Sequence, residues 1–129
     1  MNKQKTHRIG GPGDPVSLLI LGAGGRGHGY ASFAAHFPDR ARVVGVAEPR
    51  DFYRERLARE HNLPAGNVYR DWREAAERER FADAALICTQ DAMHEEPARA
   101  LAERGYAILL EKPMAPTPDS CRRIVDTVR

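Results

Sequence analysis

Six residues that directly follow an apolar run carry the clearest chemistry in this chain: Gly22-Ala23-Gly24-Gly25-Arg26-Gly27, a G-x-G-x-x-G turn. In such a turn the first glycine permits a tight reversal. The second lets a diphosphate approach the backbone, and the third lets a helix pack close against the strand. The amides of Gly24, Gly25, Arg26 and Gly27, at the start of a helix, are then free to hold phosphate oxygens. The chain has 11 glycines, so the match draws its weight from its place between a strand pattern and a helix pattern. Arg26 either adds its charge to the diphosphate or stands in solvent. A dinucleotide site also needs an acid at the end of the second strand to accept hydrogen bonds from the adenosine ribose. Glu48 stands there, 26 residues after Gly22 instead of the usual ~20. The 36–41 connection takes up the difference. A carboxylate at this point repels a 2′-phosphate and favours NAD over NADP, while Arg50 works against that preference by pairing with the phosphate. The plain alternative is that Glu48 is a solvated strand-end charge.

The elements that hold these residues follow from the apolar spacing. Strand patterns at Val16–Leu21, 42–47, 67–69, 84–89 and 106–110 alternate with helix patterns at 26–37, 51–61, 92–104 and 119–129. Pro38 closes the first helix, and Asp71 with Glu74 three residues later makes a capping-box-like start for a further one. Pro97 and Gly105 mark the beginning and end of the helix over 92–104. This alternation predicts parallel strands joined by right-handed crossover helices, an α/β Rossmann-type doubly wound sheet. Strands one, four and five are nearly continuous apolar runs, which predicts helices on both of their faces. Ligands in such a sheet bind beyond the carboxyl ends of the strands, where strand order reverses.

A length of 129 residues predicts one domain. Residues 1–15, polar and rich in Gly and Pro with no apolar stretch behind their basic residues, read as a mobile tail and not as a signal peptide. Residues 16–129 are the domain. No apolar stretch approaches the roughly 20 residues a membrane helix requires, so no membrane partner is expected. The net charge is +2 with both signs interspersed, which leaves no basic stripe for nucleic acid. Cys88 and Cys121 lack any C-x-x-C spacing, pointing to a reduced, cytoplasmic protein without structural zinc. His7, His28, His36 and His61 have no partner spacing. The final helix pattern, Cys121, Ile124, Val125 and Val128, stops without a cap and reads as a truncation.

Two further segments stand at later strand ends: Thr89-Gln90-Asp91-Ala92-Met93-His94 and Glu111-Lys112-Pro113. A glycine turn, an acidic strand end, a T-x-x-x-x-H segment and an E-K-P in this order resemble the glucose-fructose oxidoreductase and inositol dehydrogenase (Gfo/Idh/MocA) family over residues 16–129. The resemblance implies that the nicotinamide of NAD lies against the ends of strands four and five. Lys112 would then be catalytic, reaching the nicotinamide ribose and the reacting hydroxyl, with Glu111 orienting its ammonium group. Beside an oxidised nicotinamide an ammonium feels a like charge and desolvation, and both favour release of its proton. The plain alternative for Lys112 is a surface lysine at a strand end. Thr89, Gln90 and His94 match positions that line the cofactor, although many relatives have Pro or Asn where Gln90 and Asp91 stand. His94, near a helix start, is either such a contact or a packed structural histidine.

What the resemblance implies overall is an oxidoreductase acting on a hydroxyl carbon of a sugar, polyol or related compound. A further α/β domain, outside this chain, would supply the substrate pocket and usually the homo-oligomer contact, leaving the fragment alone inactive. The alternatives are a glycosidase of the same family that retains its NAD with no net redox, a non-catalytic NAD-binding module, and a methyltransferase using adenosylmethionine. Lys112 argues against the last two.

Overall fold

A computed structural model describes residues 8–129; residues 1–7, within the segment read as a tail, lie outside the described residues. Five strands, β1 (Val16–Leu21), β2 (Ala41–Ala47), β3 (Val68–Tyr69), β4 (Ala84–Ile87) and β5 (Ala107–Leu110), form one parallel sheet in the order β3-β2-β1-β4-β5. The helices are α1 (Gly25–His36), α2 (Asp51–Glu60), α3 (Trp72–Glu77), α4 (Glu95–Glu103) and α5 (Pro118–Val128). From β1 the chain winds outward to β3, then returns to place β4 on the other side of β1. Winding therefore reverses between β1 and β4, which opens a crevice at their carboxyl ends.

Side chains of a strand alternate between faces, and the core divides accordingly. Leu19, Leu21, Ala85 and Ile87 meet Ala98, Leu101 and Ile124 on one face. Leu18, Ile20, Val46 and Leu86 meet Ala31, Ala34 and Leu57 on the other. β1 and β4 are thus covered on both sides. β5 is not: Ala107 and Leu109 are exposed, Leu109 at 42%. The reason is position, because β5 is the edge strand and α1, on that face, packs over β1 and β2.

Helix ends follow local chemistry. Asp71 caps α3 by accepting from the Arg73 amide. Gly105, at φ +96, takes the left-handed position just after α4. The sequence pattern starts α4 at 92, but a tight turn over 91–93, closed by Met93 N–H on the Gln90 carbonyl, delays it to Glu95. Thr117 caps α5 through the Ser120 amide. α5 is fastened to α4 by Glu95, whose carboxylate accepts from Arg123 at 2.7 Å and from Ser120 at 2.6 Å; these partners, Arg123 first, hold its pKa down at about 2. At the amino ends of the inner strands β1 and β4 the Asp83 carboxylate accepts from the Ser17 amide at 2.8 Å, the Arg8 guanidinium and the Ile9 amide. The described part of the expected tail is therefore tied to the sheet at this carboxylate.

Candidate functional site

Register brings the separate motifs into one row. Leu21 pairs with Ala47 on one side and with Ile87 on the other, and Ile87 pairs with Leu110. The next residues, Gly22, Glu48, Cys88 and Glu111, therefore stand side by side along the carboxyl edge. Backbone bonds continue the ladder there: Gly22 N–H to Ala47 at 2.9 Å, Cys88 N–H to Leu21 at 2.8 Å and Glu111 N–H to Ile87 at 3.0 Å.

The glycine turn closes only because two of its positions lack side chains. Gly22 has φ +85, and a Cβ there would lie 2.8 Å from the Cys88 carbonyl oxygen. A Cβ at Gly27 would lie 1.8 Å from the Gly22 carbonyl oxygen. α1 then starts with no side-chain cap and no acidic residue in its first turn. Its first amides, including those of Gly25, Arg26 and Gly27, have no intrahelical acceptor and sit at the positive end of the helix dipole. Nothing lies within 4 Å of where a Cβ of Gly25 would be, so the cradle is open to an anion on that side. Arg50 leans over its edge, with Nη2 at 3.0 Å from the Cβ position of Gly24.

Glu48 stands on the floor of this crevice, 1% exposed. Its Oε1 accepts from the Ala23 amide at 2.9 Å and from Arg50 Nη2 at 2.9 Å. Its Oε2 accepts from the Arg50 amide at 2.8 Å and from Arg50 Nε at 3.1 Å. Burial pushes the carboxyl upward, yet the Arg50 and Ala23 bonds outweigh it and hold the group below its ordinary 4.5. Arg50 in turn stacks on the Tyr53 ring, 4.1 Å from its centroid. A carboxylate offers about four lone-pair sites, so ribose hydroxyls would have to compete with Arg50. The carboxylate that the sequence leaves open for the ribose is thus already paired.

At the end of β4, His94 is 1% exposed, and its ring does not open onto the crevice. Nε2 lies 2.8 Å from the Thr89 carbonyl oxygen and Nδ1 3.0 Å from that of Met114. The ring joins the loop after β4 to the loop after β5, and in its neutral form can donate to one of the two carbonyls. Of the two readings the sequence leaves open, the packed one describes this placement. Thr89 is half-buried with its hydroxyl 3.4 Å from the Met93 carbonyl oxygen, and Gln90 is exposed.

At the end of β5, Lys112 is exposed and has no ion-pair or hydrogen-bond partner among the described residues. Glu111 does not orient it. The Glu111 Oε2 accepts from the Tyr30 hydroxyl of α1 at 2.8 Å, and Oε1 lies 3.9 Å from Arg26 Nε. Burial first, and then the Glu111 charge, push the neighbouring Cys88 thiol up to about 12, which keeps it protonated and unreactive. Among the described residues no group of three or more His, Cys, Asp or Glu is arranged to hold a metal ion, and no helix is long and apolar enough to cross a membrane.

A family profile described as an oxidoreductase family with an NAD-binding Rossmann fold, Gfo/Idh/MocA, matches residues 16–129. The chain belongs to this family. The inositol 2-dehydrogenase of Klebsiella pneumoniae is 32% identical over 114 residues, covering 86% of this chain and 32% of that enzyme. The inositol 2-dehydrogenase of Paracoccus denitrificans is 29% identical over 111 residues, again 86% of this chain and 32% of the relative. The chain spans about a third of the length of these relatives. Among solved structures, an NAD-binding protein from Listeria innocua superposes with a TM-score of 0.73 at 29% identity, over 88% of this chain and 32% of that one. The WlbA dehydrogenase from Bordetella pertussis, solved with NADH and UDP-GlcNAcA, superposes with a TM-score of 0.80 over 89% of this chain and 33% of its own; at 19% identity it attests the fold. The Gfo/Idh/MocA resemblance and the doubly wound Rossmann sheet are thereby borne out. The sequence did not point to Tyr30. Its only signal is a place one helical turn after Gly27, and that gains meaning once α1 is known to pass the end of β5.

Proposed function

We propose that this chain binds NAD, in preference to NADP, as the nicotinamide-dinucleotide domain of an enzyme acting on a hydroxyl carbon of a sugar, polyol or related compound. The observation that carries this reading is the uncapped start of α1 beside the closed Gly22–Gly27 turn, in one row with Glu48 and the Lys112 segment. The amides of Gly24, Gly25, Arg26 and Gly27 hold the diphosphate, with Arg26 adding charge. Glu48 faces the adenosine ribose and shares its carboxylate with Arg50. Thr89 and Gln90 flank the nicotinamide end, with His94 bracing their loop against Met114. Bound NAD supplies the hydride acceptor, and Lys112, exposed and unpaired, exchanges the hydroxyl proton. The inositol 2-dehydrogenases among the relatives support a polyol-type substrate. Substrate-side groups and a homo-oligomer contact belong, in this reading, to the two thirds of the relatives that the chain does not span, and the enzyme is cytoplasmic.

Calorimetric titration of the chain with NAD, NADP and adenosylmethionine tests the proposal. Saturation by NAD at the lowest concentration is expected, with no turnover by the chain alone. Tighter binding of adenosylmethionine, or no binding of NAD, overturns it.

A further inference from the structure

We propose that Tyr30 is a positioning residue for Lys112: its hydroxyl holds the Glu111 carboxylate against α1 and keeps it from pairing with the adjacent ammonium group. The inference rests on the reading above that Lys112 meets substrate and cofactor. Glu111 and Lys112 are neighbours at the bend after β5, both on long side chains, so a carboxylate released from α1 comes within reach of the adjacent ammonium, an exposed pairing of modest strength. In the structure α1 holds the carboxylate. Its side chain is only 14% exposed, with Oε2 2.8 Å from the Tyr30 hydroxyl, while Lys112 stays exposed and without a partner.

Tyr30 is suited to the task. Its ring packs against the core cluster beneath α1, so the hydroxyl is delivered from a fixed position. The bond to Glu111 is the leading reason that the phenol ionises above its ordinary 10.0, so it remains a donor throughout the neutral range. Arg26, the other group facing Glu111, is 72% exposed and 3.9 Å away. It is also the side chain nearest in sequence to the phosphate cradle, and an arriving diphosphate draws it outward. Tyr30 is then the holder that stays. The same helix whose first turn receives the phosphates would thus keep the lysine at the far end of the crevice unpaired.

The test uses the reactivity of Lys112 toward acetic anhydride, which acylates the unprotonated amine, followed by peptide mass spectrometry. The lysines of the chain are Lys3, Lys5 and Lys112, so the first two serve as references within each sample. Tyr30→Phe, made in an Arg26→Ala background that serves as its reference so that no other named group holds Glu111, keeps the ring and its packing but frees the carboxylate. Lys112 labelling is expected to slow about two- to fivefold relative to Lys3 and Lys5, the range an exposed ion pair supports. Adding Glu111→Gln to that variant should restore the reference ratio. A ratio that Tyr30→Phe leaves unchanged from the reference, or a slowed ratio that persists once Glu111→Gln is added, overturns the proposal. Calorimetry with NAD on the wild-type chain separates the two readings. The expected labelling pattern in a chain whose wild type binds no NAD supports the Tyr30 tether and sinks the functional reading.

Discussion

Replacing Gly27 by alanine places a methyl group where the backbone leaves no room. The added Cβ would lie 1.8 Å from the Gly22 carbonyl oxygen, 2.9 Å from its carbon and 3.3 Å from Ile20 Cγ2. The first two are backbone atoms of a turn already committed to φ +85, so they cannot rotate aside. α1 must instead move off β1 by about 1 Å or more to reach an ordinary contact, loosening Ala31 and Ala34 from Leu18 and Ile20. Overpacking against rigid atoms belongs at the upper end of the usual range, about 3 kcal/mol. In a domain of this size that lowers the melting temperature by about 10 °C. Gly25→Ala is the control, because nothing lies within 4 Å of its Cβ position and alanine favours a helix over glycine. It should melt at or slightly above the wild-type temperature. Circular dichroism melts of the three proteins decide the matter. A Gly27→Ala chain melting within about 2 °C of wild type would refute the packing account of the turn.

Two more outcomes follow from the Glu48–Arg50 pair. Arg50→Ala should raise the preference for NAD over NADP by about tenfold, since it frees the Glu48 oxygens for ribose hydroxyls and uncovers a charge that repels a 2′-phosphate; parallel titrations that show a fallen preference would contradict this. Glu48→Gln should destabilise the chain by about 1–3 kcal/mol at pH 7, measured by urea unfolding. Because the folded carboxyl titrates below its ordinary 4.5, that difference is complete above pH 4.5 and is lost as the pH falls through the depressed value. A difference that stays constant or grows in acid would show the bonds to Arg50 and Ala23 to be absent in solution.

The parts of the fold legible in the sequence are those set by local rules. Val16–Leu21 announces a buried strand by its unbroken apolar run, and the glycines after it announce the turn, because no other residue type fits where Gly22 and Gly27 stand. The E-K-P and T-x-x-x-x-H segments were visible as patterns, and the parallel register then placed them without further information. What stayed hidden depends on contacts between elements. The sequence shows Glu48 and Arg50 two residues apart but not that the guanidinium folds back onto the carboxylate, since that requires Tyr53 of α2 as a platform. It shows His94 at a helix start but not the Met114 carbonyl, 20 residues later, that engages its second nitrogen. The apolar run of β5 reads like those of β1 and β4, although edge position leaves alternate residues exposed.

That edge has a consequence for how the chain behaves in company. Beyond β5 the sheet has no neighbour among the described residues, so one side of the Ala107–Leu110 backbone presents its amides and carbonyls outward. Leu109 is uncovered on one face, and on the other Ile108, Leu110, Met114, Val125 and Val128 line an open apolar furrow. Neither proline nor lysine interrupts the strand to discourage annexation. An extended segment laid along this border would gain main-chain bonds and bury hydrocarbon on two sides at once. In concentrated solutions of residues 1–129 by themselves the border is accordingly where the copies should adhere to one another first, and a single charge at Leu109 should make them part.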